Sequence, residues 1–269
     1  MKFIHYFQSI LTKIKTLQES EKVEIFGITI TVGSYDRMIK RFIESSDKKE
    51  SMCVLFMNSH MIYEYHNDVR FKNIVEAAEC ICPDGVPLLY SIKILKNTWS
   101  ERIAGNDMIS SLIDHAETKS KNIFIYGSTI LVLRKIEEKI TAIYPNLNFK
   151  MYSPPFRELT ELELDEHAQM INDFGAHIVL VGLGCPKQEM WMYQMKNKVH
   201  APMFGLGGAF LLFAGIDRRA PKWMRKFGLE WAYRLALEPK RLFKRYLITN
   251  SYFCWLFVKE FIKIKVFKQ

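Results

Sequence analysis

The chain has 269 residues, 49% of them apolar, which is enough to bury a full core and to form one large domain or one and a half. A formal net charge of +9 points to an anionic partner, whether nucleic acid, a phosphorylated substrate or a lipid headgroup surface. Five cysteines with no C-x-x-C pair, and no histidine cluster at ligand spacing, speak against a disulfide scaffold and lead us to expect no metal.

The first residues carry an apolar stripe at Phe3, Phe7, Ile10, Ile14 and Leu17, with Lys2, Lys13 and Lys15 off it. This predicts an amphipathic helix over residues 1–22, serving as a docked helix, a dimer seam or a membrane-surface element. It lacks the cleavage site of a leader peptide, so the protein is expected to stay on the cytoplasmic side. From Val23 the pattern alternates strands and helices. Val23 to Val32 reads as a strand pair around Gly27, and Ser34 as the N-cap of a helix through Ile43. Met52 to Met57 reads as a buried strand closed by the polar Asn58-Ser59-His60. Open α/β sheets bind ligands beyond the carboxyl ends of their strands, so Asn58 is a candidate contact, with helix capping as its other reading.

Cys82-Pro83-Asp84-Gly85-Val86-Pro87 then sets a carboxylate between a residue with fixed φ and one that tolerates positive φ. Such a turn holds Asp84 at the mouth of a crevice, or serves as plain Asp-Gly turn chemistry. Arg102-Ile-Ala-Gly-Asn-Asp107 opens a helix through Ala116, with Asn106 or Asp107 as its cap. Arg102 just before that helix would add a fixed cation to an end already suited to anions, or be a solvated arginine. Asn122 to Tyr126, Leu147 to Tyr152, His177 to Val181 and Met203 to Leu206 read as further strands, and Ile130 to Ile143 and Thr160 to Phe174 as helices. Several strands end in glycines: Gly127, Gly182 and Gly184, and Gly205, Gly207 and Gly208. These β-α-β units predict a doubly wound, Rossmann-like, mostly parallel sheet over residues 23–216. No intact G-x-G-x-x-G is present, so a nicotinamide cofactor is weakly supported, while a nucleotide held by glycine turns stays open. Pro186 at a helix start places Lys187, Gln188 and Glu189 near the top of the sheet.

Residues 217–269 change character. Arginines and lysines from Arg218 to Arg245 are mixed with Trp223, Phe227, Trp231, Tyr233, Phe243 and Tyr246 at helical spacing, with helix starts at Pro221 and Pro239. This suits nucleic acid, or a lipid interface where aromatic rings lie at headgroup depth and arginines meet phosphates. The tail Tyr252 to Phe267 is too short and too charged to span a bilayer, and its interleaved lysines favour the membrane surface.

These motifs together resemble the WecG/TagA/CpsF family of bacterial glycosyltransferases. The resemblance covers roughly Val23 to Tyr246. It is carried by Asn58, Pro83-Asp84-Gly85, Arg102-Ile-Ala-Gly105-Asn-Asp107, Gly182-Leu-Gly184-Cys-Pro186-Lys-Gln188-Glu189, Gly205-Leu-Gly207-Gly208, Arg219-Ala-Pro221, and Gly228-Leu-Glu230-Trp231-Ala-Tyr233-Arg234 with Glu238-Pro239 and Arg241. It implies inverting, metal-independent transfer of an N-acetylmannosamine-, mannosaminuronate- or glucose-type sugar, with no cofactor beyond the UDP-sugar donor. The acceptor would be a polyprenyl-diphosphate-linked amino sugar at the cytoplasmic membrane face, in teichoic acid, common antigen or capsule synthesis. By motif, Asp84 would be the general base, and Asn58, Arg102 and Gln188 would line its pocket. Gly127, Gly184, Gly205, Gly207 and Gly208 would approach the nucleotide. Arg234, Arg241 and Arg245 match a basic appendage that closes over the site and engages phosphates at an anionic membrane surface.

Two departures stand out. Phe56 occupies a position where many relatives carry threonine, and Gly127-Ser128 replaces a common glycine pair. The chemistry agrees with the resemblance. One carboxylate suffices as acceptor base, no Asp-x-Asp pair is evident for a metal, and arginines with helix ends would receive the departing UDP. A basic nucleic-acid-binding α/β protein is the alternative from another class. The donor sugar, the linkage and homo-oligomer formation are not legible in the sequence.

Overall fold

The computed structural model describes residues 21–267. The amphipathic stripe predicted over residues 1–22 lies almost wholly outside them. Glu21–Ile25 (β1) and Ile28–Val32 (β2) form an antiparallel hairpin. Phe26 and Gly27 turn it with φ of 53° and 74°, the left-handed pair that matches strand twist in a two-residue loop. The remaining strands are Met52–Met57 (β3), Cys80–Pro83 (β4), Ile123–Tyr126 (β5), Phe149–Tyr152 (β6), Ile178–Val181 (β7) and Pro202–Gly205 (β8). They form one parallel sheet in the order β4-β3-β8-β7-β5-β6.

Each inner strand is buried on both faces, as parallel strands between helical layers must be. Strand alternation sorts the side chains. Leu55, Met57, Ile81, Phe124, Tyr126, Val179 and Val181 point into one core, and Val54, Phe56, Cys80, Cys82, Ile125, Ile178 and Leu180 into the other. The second core is closed by the helices Tyr35–Asp47 (α1), Gly105–Thr118 (α5), Ile130–Ile143 (α6) and Ala209–Phe213 (α9). The first is closed by Ser59–Asn67 (α2), Val69–Glu76 (α3), Val86–Lys96 (α4), Glu161–Asp173 (α7) and Lys187–Met195 (α8). The predicted Rossmann-like architecture is therefore present, with an antiparallel hairpin added beside it.

The chain winds outward from β3 to β4 at one edge and from β5 to β6 at the other, with β7 and β8 laid between. A crevice outside the carboxyl ends of the strands follows from this reversal. Three further helices, Lys222–Lys226 (α10), Glu230–Leu237 (α11) and Pro239–Phe267 (α12), lie beyond the sheet. The tail Tyr252 to Phe267 is the second half of one 29-residue helix. Phe253 and Leu256 of α12 enter the first core, and Phe253 meets Phe26 edge to face at 5.5 Å. No helix among the described residues is long and apolar enough to cross a membrane.

Candidate active site

A pocket of about 980 Å³ opens at the carboxyl ends of β4, β3, β8 and β7, roofed by α11 and α12. Asp84 follows β4 directly. The Asp84 and Gly85 N–H groups both donate to the Met57 carbonyl, at 3.0 and 3.4 Å, so the β3–β4 ladder continues into the turn. Ile103 N–H donates to the Pro83 carbonyl at 3.0 Å and brings the Arg102 loop alongside. Arg102 Nε then donates to the Asp84 carbonyl at 2.6 Å, and one terminal nitrogen donates to Asp84 Oδ1 at 3.1 Å. The same nitrogen donates to Glu230 Oε2 at 2.9 Å. Arg102 is therefore held by two carboxylates in the pocket wall, and is not the solvated arginine of its other reading. The capping reading of its neighbours is corrected too. The helix starts at Gly105 behind Ala104, Asn106 donates to Glu230 at 3.4 Å, and Asp107 pairs with Arg219 at 2.5 Å.

The Asp84 side chain is 23% exposed. Loss of hydration raises its pKa, Arg102 pulls it back, and Glu230 and Asp107 push it up again, for a value of about 6. Among the described residues nothing donates to Oδ2, so this oxygen is open to the pocket. A carboxylate with that pKa is ionised at neutral pH yet more basic than an ordinary aspartate, as a general base requires.

Asn58 caps α2, accepting from His60 N–H at 3.0 Å and Met61 N–H at 3.2 Å. It also lines the pocket, so both readings of this residue hold in geometry. Gln188 lines the pocket too, but both ends of its amide are engaged. Its oxygen accepts from Gly184 N–H at 3.2 Å, and its nitrogen donates to Glu189 Oε1 at 2.8 Å. The glycines fall into two groups. Gly184 (φ 81°), Gly205, Gly207 and Gly208 line the pocket, and a Cβ on Gly205 or Gly207 would press on the Gln188 amide at 3.1 or 3.0 Å. Gly127 does not line it. A Cβ there would sit 2.6 Å from Leu183, so this glycine serves strand-end packing, and Ser128 reaches the pocket instead. Phe56 packs against Gly105 and lines the pocket.

Positive charge gathers under the roof. Arg234 lies over Gly208, about 3.6 Å from where a Cβ would stand. Arg241 is held by Glu238 at 2.5 and 2.7 Å. Arg245 rests on the Tyr246 ring at 5.4 Å. Among the described residues no carboxylate lies within salt-bridge distance of Arg234 or Arg245. Buried polar atoms without partners cluster on the same side: Arg245 Nε, Thr249 Oγ1 and His60 Nδ1 all belong to residues lining the pocket. Burial and the nearby Arg245 hold His60 down at about 4, so it is neutral. Adjacent parallel strands are about 4.8 Å apart, so Asp84 on β4 and the Gly207–Gly208 turn after β8 stand roughly 10 Å apart along the sheet edge. That span fits one sugar ring between a base and a diphosphate.

Glu189, expected near the top of the sheet, is 1% exposed and has no partner on Oε2. Burial pushes it up to about 7. Its folded pKa exceeds the unfolded one, so its contribution to stability is full below about 4.5 and is lost as pH rises through 7. Glu189→Gln is expected to remove that slope and to gain on the order of 2–3 kcal/mol over the parent at pH 8. Urea unfolding at pH 5 and pH 8 checks this, and an unchanged difference between the two pH values would contradict it.

The model of the glycosyl transferase WecG/TagA/CpsF family matches residues 23–266. A Bacillus subtilis (strain 168) protein named N-acetylglucosaminyldiphosphoundecaprenol N-acetyl-beta-D-mannosaminyltransferase is 32% identical over 218 residues, 81% of this chain and 82% of that one. Relatives with the same name from Bacillus spizizenii and Staphylococcus aureus (strain NCTC 8325) are 30% identical over 72% of this chain and 25% identical over 85% of it, spanning 75% and 90% of their own lengths. A family match across nearly the whole chain, over a pocket that joins a raised-pKa carboxylate to arginines, makes this protein a glycosyltransferase of the WecG/TagA/CpsF family.

Proposed function

We propose that the enzyme transfers an N-acetylmannosaminyl-type sugar from UDP to N-acetylglucosamine carried on a polyprenyl diphosphate, with inversion and without a metal, at the cytoplasmic membrane face. The observation that carries this reading is Asp84, with one oxygen open to the pocket and its pKa near 6, about 10 Å along the sheet edge from the Arg234–Gly208 corner. Asp84 takes the proton from the acceptor hydroxyl as that oxygen attacks the anomeric carbon. The bond from that carbon to the UDP phosphate oxygen breaks on the opposite face, which inverts the centre. The UDP leaves with its bonding pair as an anion facing Arg234. Fixed positive groups, Arg234 above all, stabilise that charge as it forms.

The acceptor's chemistry matches the roof. Arg245, Thr249 and His60 offer polar atoms that a second diphosphate would satisfy. The pocket continues between α4 and α12 past Tyr90, Ile94, Phe257 and Val258, an apolar path for an isoprenoid chain. Residues 217–269 then act as a membrane-associating appendage, with Trp223, Phe227, Leu247, Trp255 and Ile262 exposed beside lysines. The relatives' names support the choice of sugar and acceptor. The test is a panel of UDP-sugars against a short-chain polyprenyl-diphosphate N-acetylglucosamine, read by mass spectrometry. UDP-N-acetylmannosamine is expected to give the disaccharide product, and no product from any UDP-sugar would overturn the reading.

A further inference from the structure

Glu230 lies 128 residues from Arg102 in sequence, on a helix outside the sheet, yet it closes the charge cluster around Asp84. One Arg102 nitrogen bridges Glu230 at 2.9 Å and Asp84 at 3.1 Å, and Asn106 binds the other Glu230 oxygen at 3.4 Å. Glu230 is only 15% exposed. Its helix is brought in closely: Gly228, two residues earlier (φ 71°), packs so tightly that a Cβ would stand 2.9 Å from Val86, at the first residue of α4 behind the Asp84 turn.

We propose that Glu230 is a positioning residue that sets the strength of the base: by sharing Arg102 between two carboxylates, docking of α11 keeps Asp84 from being neutralised by a one-to-one ion pair. The proposal rests on Asp84 being the acceptor base. Counted together, Arg102, Asp84 and Glu230 carry one positive and two negative charges. With Glu230 uncharged, Arg102 would serve Asp84 alone, and an aspartate paired with a single arginine has its pKa lowered by about 1–3 units. Other charged groups near the cluster are less able to decide the matter. Asp107 is paired with Arg219 at 2.5 Å. Arg234, one turn along α11, lies over Gly208, and Asp217, Arg218 and Glu238 line a small cavity on the far side of Glu230. The consequence is that the base reaches working strength only when the appendage helix is docked, which couples proton abstraction to closure over substrate.

The test uses the full chain with 13C-labelled aspartate. The Asp84 carboxyl resonance, assigned by its absence in Asp84→Asn, is titrated in the parent and in Glu230→Gln. Because α11 contributes no buried side chain, Glu230→Gln leaves the fold in place. Its Asp84 midpoint is expected to fall by about one unit, and kcat at pH 7.5 to fall threefold to tenfold with the donor KM unchanged. Glu230→Asp, which keeps the charge, is expected to hold the midpoint within about half a unit of the parent. An unmoved midpoint in Glu230→Gln, or an equal fall in Glu230→Asp, overturns charge sharing by Glu230. Undiminished turnover in Asp84→Asn overturns the base reading itself, and the titration midpoints stand apart from that result.

Discussion

Asp84→Asn is expected to lower kcat by roughly 10²–10⁴-fold at pH 7.5 while UDP affinity stays within about twofold of the parent, the range lost with a general base. Asparagine matches aspartate in shape, and its carbonyl oxygen can still accept from the Arg102 nitrogen now 3.1 Å away. Only the proton acceptor at Oδ2 disappears. The direction of the pH dependence follows from the raised pKa of about 6: below it Asp84 is protonated and cannot accept, so parent activity rises with pH through 6 and levels off above. In Asp84→Asn that limb is expected to vanish from whatever rate remains. Stability should move the other way. A folded pKa above the unfolded 3.8 means that ionised Asp84 costs stability as pH rises through 6, so the variant is expected to match or exceed the parent by ~1–3 kcal/mol at pH 8. An active site that strains its own fold is an ordinary trade between stability and activity. Steady-state rates from pH 5 to 9, with UDP binding by calorimetry and urea unfolding, test all three. Parent-level turnover in the variant would remove Asp84 from the base role.

What the sequence made legible was local. The sheet could be read because each buried strand is a short apolar run closed by a polar or glycine signal, and those signals mark where a doubly wound sheet binds ligands. Asp84, Asn58, Gln188 and Gly207 are therefore legible as neighbours at one sheet edge, and the family match is to a glycosyltransferase family rather than a nucleic-acid-binding one. What misled was contact at long range. Arg102 reads as a fixed cation or a solvated arginine, and its carboxylate partners stay hidden, because no periodicity links it to Glu230, which supplies the second of them. Asn106 and Asp107 look like caps because Asn and Asp usually are, yet backbone geometry starts the helix at Gly105, and both side chains turn to the appendage instead. Glu189 stands beside a pocket residue in sequence, but one step along a helix rotates a side chain by 100°, and that step carries it into the core. Gly127 carries the same strand-end signal as Gly184, and only packing against Leu183 separates their purposes.

Arg234→Gln and Arg245→Gln are each expected to lower kcat/KM by about 10²-fold, near the loss on removing one donor to a developing anion. The two should differ in which substrate they affect. Arg234 stands over Gly208 at the end of β8, so its loss should weaken UDP binding and slow UDP departure. Arg245 sits beside His60 and Thr249 on the α2–α12 side, so its loss should raise the KM for the lipid-linked acceptor and spare UDP affinity. Neither guanidinium has a carboxylate partner among the described residues, so neither substitution leaves a buried acid unpaired, and the fold should hold. Deleting the chain from Arg218 onward is a blunter form of the same experiment. It removes both arginines and Glu230 and is expected to abolish transfer to lipid-linked acceptor. It also strips Leu242, Phe253 and Leu256 from the protein interior, at about 1.5–3 kcal/mol for each buried side chain, so lost activity there mixes chemistry with unfolding. Flotation with anionic vesicles separates the two. The arginine variants should still float, in a salt-sensitive manner, because Trp255, Ile262 and the tail lysines are untouched, whereas the truncated chain should not. Full activity of the truncated chain on a membrane-bound acceptor would contradict a role for the appendage in closing the site.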